Sequence, residues 1–136
     1  MILQLQIIGI ILFLLGWVHI IFPTYFNWKE ELKDLSLINR QLMYVHTFFI
    51  ALVVVLNGLL CFLAAEELLF TALGKKICLG LAFFWGLRLF FQFFVYSTQL
   101  WRGKPFETLV HIVFSLLWTY LTVFFGYAGA LFTSNL

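Results

Sequence analysis

Three histidines and one arginine lie inside the apolar stretches of this chain: His19, His46, His111 and Arg88. Neutral imidazole is the commonest protein metal ligand, and histidines projecting from helices are a usual way to hold haem iron. Converging rings here would therefore suit haem or a transition metal. Arg88 sits near the middle of an apolar run from Ile77 to Leu100, and no Asp or Glu lies inside any apolar segment to balance it. A charged side chain at the centre of a bilayer-spanning helix costs roughly 2.5 to 3.5 kcal/mol on insertion scales. That cost requires a compensating group, such as a haem propionate or a substrate carboxylate.

Depth along each helix can be counted from the sequence. His19 is four residues before Pro23, His46 four after Leu42 and His111 four after Glu107. At about 1.5 Å per residue, each is expected about 6 Å inside the same membrane face, on three different helices. At about 100° per residue, Asn57 falls within about 20° of His46, and Ser115, Thr119 and Thr122 within about 80° of His111. Gln92 falls within about 40° of Arg88, and Tyr96 within about 80°. Polar side chains avoid lipid, so these stripes are expected to face the interior together. Glu107, one turn before His111, could accept that ring's other N–H and fix its tautomer. On the first span, Gly9 and Gly16 flank the His19 direction, where small residues permit close helix packing.

Those residues need long apolar helices to carry them. Hydrophobic residues make up 64% of the 136-residue chain and charged residues 10%, against roughly 45–50% and 25% in globular proteins. Mean hydropathy is +1.06. The expected fold is all-α: one integral membrane domain over residues 1–136, an antiparallel four-helix bundle with spans near 2–22, 42–65, 77–101 and 107–132. Pro23 is expected to stop the first span. Gly103 suits the position past a helix end, and Pro105 and Glu107 suit the first turn of the next helix. The N-terminal run lacks the basic stretch and cleavage site of a signal peptide and reads as a retained helix. Between the first two spans, Tyr25 to Ser36 interleaves Trp28, Lys29, Glu30, Glu31, Lys33 and Asp34 with Leu32 and Leu35. That pattern predicts a short interfacial helix, with Asn27 and Glu30 at capping-box spacing.

Lys29, Lys33, Arg40, Arg102 and Lys104 fall in the first and third loops, against Lys75 and Lys76 in the second. This asymmetry places the first and third loops in the cytoplasm and both termini outside. The net charge of +2 is too small to imply a nucleic-acid partner. Cys61 and Cys78 read as small buried apolar residues, with a disulfide as the alternative. Trp28 and Trp101 stand at span ends as interfacial anchors. The deeper Trp17, Trp85 and Trp118 either fill the interior or pack against a flat cofactor, and their indole N–H groups need partners.

Three functional readings fit these residues. One is a haem or metal site on His19, His46 and His111, with Arg88 as anion partner. The second is a small-solute or proton pathway lined by the same polar groups. The third is an accessory subunit or homo-oligomer in the bilayer, joined through Gly126 and Ala130 at small-xxx-small spacing. No nucleophile, base and acid occur together, and no glycine-rich phosphate loop is present. Any enzymatic role would be that of a membrane oxidoreductase component.

Overall fold

Leu5, Ile8, Gly9, Leu12 and Gly16 recur at helical spacing and form the buried stripe of α1, Ile2–Val18. The computed structural model describes residues 1–131, and every regular element among them is a helix. Pro23 does not stop the first span. The backbone tightens into a 3-10 turn at His19–Ile21, where the Phe22 N–H bonds the His19 carbonyl, and continues through α2, Phe22–Tyr25. Proline lacks an N–H and its ring crowds the carbonyl four residues back, and the tightened turn absorbs both effects.

The expected interfacial helix shrinks to a single turn, α3, Trp28–Glu31. Asn27 breaks the chain before it by adopting a left-handed conformation, φ 50°, and makes no side-chain cap. Its backbone carbonyl accepts from the N–H groups of Glu30 and Glu31, both at 3.0 Å. Trp28 is buried, packing edge-to-face on Tyr44 at 5.2 Å. The Trp28–Tyr44 contact and successive backbone bonds, from the Leu32 N–H to Trp28 and the Lys33 N–H to Glu30, hold this loop.

Helix α4 covers Leu37–Leu63, α5 Ala65–Phe70, α6 Ala72–Phe94 and α7 Pro105–Leu131. Phe132, the last residue of the expected fourth span, lies outside the described residues. The second span starts five residues earlier than residue 42 because Asn39, Arg40 and Gln41 are polar without being helix breakers. The third starts at Ala72 because Thr71 caps it, its hydroxyl accepting from the Gly74 N–H at 2.9 Å. It ends at Phe94, not Trp101. The N–H groups of Val95 and Tyr96 both turn back to the Phe91 carbonyl, and Ser97 is extended, its hydroxyl accepting from the Gln99 N–H. Serine and threonine compete with the helical ladder in this way. Gly103, at φ 76°, and Pro105 at the start of α7 take the positions expected of them.

Ile2–Tyr25, Leu37–Leu63, Ala72–Phe94 and Pro105–Leu131 are each long and apolar enough to cross a membrane. Within the 136 residues read as one domain, the chain forms two compact units, Met1–Ala65 and Glu66 onward. The first is a hairpin of α1 and α4. A Cβ added at Gly9 would stand 2.7 Å from the Gly58 carbonyl oxygen, and Gly16 lies against Ala51 and Val55. Contacts descend along α4 as they rise along α1, so the pair is antiparallel. The second unit pairs α6 with α7, also antiparallel, while α5 crosses Gly74 and accepts the Cys78 thiol at the Leu68 carbonyl. Both cysteines are buried and form no disulfide.

Candidate functional site

The polar chemistry concentrates in the second hairpin. Along its seam Gly129 meets Leu79, Trp118 stacks on Trp85 with centroids 5.0 Å apart, and His111 meets Gln92. The helices approach through small residues at one end and are held by aromatic rings toward the loop that joins them.

Arg88 lies six residues before the end of α6, about 9 Å along the axis. With the helix spanning Ala72–Phe94, the arginine is two turns from an end and not at mid-span. Its Nη1 donates to Gln92 Oε1 at 3.4 Å, and its guanidinium carbon sits 5.2 Å from the Trp118 ring and 5.4 Å from the Tyr96 ring. Cation–π contacts of this kind contribute about 0.5–2 kcal/mol each. A hydrogen bond that long adds little. No carboxylate approaches: among the described residues the single ion pair joins Lys33 to Glu30. A guanidinium carries five N–H donors, and four of those on Arg88 have no acceptor among the described residues.

Gln92 is 8% exposed and links two partners, since its Nε2 lies 2.7 Å from His111 Nδ1. A guanidinium can only donate, so it fixes the oxygen of the Gln92 amide on its own side and the NH2 group on the histidine side. His111 Nδ1 must then accept, which leaves the neutral ring with its proton on Nε2. The ring also stacks on Trp101, centroids 3.8 Å apart and planes within 8°. Thr108 ties that tryptophan down by donating to its carbonyl at 2.6 Å. Gln92, rather than Glu107, is therefore the group that orients His111, and the exposed Glu107 makes no side-chain hydrogen bond among the described residues.

The remaining polar residues stay apart from this chain. The hydroxyls of Ser115, Thr119 and Thr122 each donate at 2.7 Å to the carbonyl four residues back, so they are satisfied on their own helix. In the first hairpin, His19 Nδ1 stands 2.9 Å from the Leu15 carbonyl and its ring packs on Phe22. His46 is exposed and Asn57 half-buried, neither with a side-chain hydrogen bond among the described residues. The equal depths expected for the histidines do not hold. His19 and His111 lie six residues from their helix ends and His46 nine, or about 9 and 14 Å. Among the described residues, no group of three or more His, Cys, Asp and Glu side chains could hold a metal ion.

Two features escaped the sequence reading. The Trp85–Trp118 stack buries both indole N–H groups without partners among the described residues, and Trp101 acts as the platform for His111 rather than as a free interfacial anchor. A signal existed for the first. Trp85 with Trp118 and Gln92 with His111 are equidistant from a turn centred on Trp101 and Arg102, the pairing an antiparallel hairpin imposes. Beside the cluster, a groove of about 220 Å³ is lined by Phe84, Leu87, Arg88, Phe91 and Tyr96. No protein-family model, curated protein or solved structure matches the chain.

Proposed function

We propose that this is an antiparallel four-span helical membrane protein whose second hairpin binds an anionic ligand at Arg88. Five loop cations against two favour the first and third loops in the cytoplasm and the termini outside. The carrying observation is the state of the guanidinium. It is half-buried between two aromatic faces, shares one long bond with an amide and has no carboxylate partner. Aromatic rings orient it without neutralising it, which is what a preorganised receptor for a negative charge requires.

The hydrogen-bond polarity disfavours His111 as a haem or metal ligand. Ligation at Nε2 would shift the proton to Nδ1 and turn the Gln92 oxygen toward it, leaving the amide NH2 facing the guanidinium, donor against donor. His111 is better read as the group that holds Gln92 in place.

The test is thermal unfolding of the full chain in neutral detergent, with dodecyl phosphate, dodecanoate and inorganic phosphate added separately. At least one anion should raise the wild-type midpoint, and Arg88→Gln should abolish the rise. Gln92→Glu should abolish it too, by supplying the missing carboxylate while keeping the arginine. If no anion shifts the wild-type midpoint, or if both variants respond as the wild type does, the reading is wrong.

A further inference from the structure

The groove beside Arg88 has the shape of an amphiphile. Phe84, Leu87, Arg88 and Phe91 stand at i, i+3, i+4 and i+7 along α6, so they form one helix face. Phe84, Leu87 and Phe91 are 45%, 45% and 47% exposed, which makes this face an outer surface of the hairpin. Side chains on a helix lean by default toward its N-terminus. Arg88 instead reaches toward its partners Gln92 and Tyr96, both on the C-terminal side. The charge thus points to the nearer helix end, while the apolar residues Leu87 and Phe84 extend from it in the opposite direction. With Arg88 about 9 Å from that end, a guanidinium reaching along the helix toward Gln92 and Tyr96 is within reach of the headgroup zone, as snorkelling arginines are.

The charges around the groove select among lipids. Arg102 and Lys104 are exposed in the loop that follows α6, and no Asp or Glu occurs between Arg88 and Glu107. Three cations, Arg88, Arg102 and Lys104, stand on this side against one carboxylate, the exposed Glu107 in the first turn of α7, so the local balance favours an anionic headgroup over a zwitterionic one. A basic residue near a membrane surface favours an anionic lipid by about 1 kcal/mol.

Resting on the anion site proposed above, we infer that its occupant is an acidic phospholipid of the leaflet at which α6 ends. The phosphate meets Arg88 and the Tyr96 side, and one acyl chain lies along Leu87 and Phe84. Phosphate accepts the fork of N–H donors that the protein leaves open.

Native mass spectrometry of the full chain in neutral detergent tests this, with dioleoyl phosphatidylglycerol, dioleoyl phosphatidylcholine and glycerol 1-phosphate as probes. The wild type should retain the glycerol lipid about fivefold better than the choline lipid, since one charge contact is worth about 1 kcal/mol. Arg88→Gln should remove that preference, while Arg88→Lys, which keeps the charge, should keep a reduced one. Glycerol 1-phosphate should not bind detectably. If it binds as well as the lipid, the anion site stands but the lipid assignment falls. If the two lipids are retained equally, or if Arg88→Gln leaves the preference intact, only annular lipid is present and the assignment also falls. If no phosphate compound binds at all while dodecanoate raises the unfolding midpoint, the occupant is a carboxylate and the phospholipid is excluded.

Discussion

The first hairpin joins its helices where side chains are missing, whereas the second joins them through rings and a chain of polar groups. In the first, Gly9 and Gly58 bring two backbones together so closely that a Cβ on either would stand under 3 Å from the other helix. The histidine of its first helix, His19, bonds back to its own helix. In the second, Trp85, Trp118, Arg88, Gln92, His111 and Trp101 form a continuous contact path. Among the described residues, that path leaves two indole N–H groups and most of a guanidinium without hydrogen-bond partners. Glycine packing gives rigidity and no chemistry. Uncompensated polarity inside an otherwise apolar hairpin has a stability cost, and such a cost persists where a ligand offsets it.

The comparison breaks most visibly at Gly58. An added Cβ would stand 2.6 Å from the Phe13 nitrogen and 2.7 Å from the Gly9 oxygen, both backbone atoms that cannot move aside alone. Gly58→Leu should therefore separate α1 from α4 at a cost of about 3 kcal/mol or more. In a titration with denaturing detergent followed by circular dichroism, the midpoint should fall well below that of the wild type. Anion binding by the second hairpin should survive in native detergent. A Gly58→Leu protein of unchanged midpoint would show that the glycine crossing contributes little.

The polar path should respond less strongly and in another place. Gln92→Leu strips Arg88 of its amide acceptor and His111 of its donor. It leaves two groups unpaired at a cost of about 1–3 kcal/mol. The same titration measures the loss, and anion binding should weaken with it because the guanidinium is no longer held. A midpoint equal to that of the wild type would mean that the amide is incidental to both groups.

The sequence revealed this division unevenly. The four long helices were legible because Leu, Ile, Val and Phe fill whole segments, and the turn at Gly103 and Pro105 announced itself by residue type. Helix ends were less legible. Pro23, Glu66 and Arg40 look like terminators, yet a 3-10 turn absorbs the first, α5 incorporates the second and the first turn of α4 accepts the third. The error at Trp101 mattered most, because ending α6 at Phe94 moves Arg88 from mid-span to two turns from an end. Of the candidate site, Arg88 and His111 were named from their type inside apolar segments, and Gln92 and Tyr96 from rotation about the helix that carries Arg88. Their partners Trp101 and Trp118 were not placed with them, because stacking depends on hairpin register, which periodicity within one helix does not contain. The hydroxyl stripe of Ser115, Thr119 and Thr122 misled for a related reason: direction around a helix does not reveal that a hydroxyl bonds its own backbone.

The smallest expected effect sharpens the contrast between glycines. Gly80 is exposed on α6, and a Cβ built there meets nothing within 4 Å. Alanine at this position adds no clash and removes the conformational freedom that glycine retains in the unfolded chain, so Gly80→Ala should stabilise by about 0.5–1 kcal/mol. The unfolding midpoint should rise slightly, opposite in sign to the change at Gly58. A fall instead would mean that another surface presses on this face of α6 in solution. Gly80 would then serve packing as Gly129 does against Leu79 at the same end of this hairpin, and the contrast with the first hairpin would rest on the polar path alone.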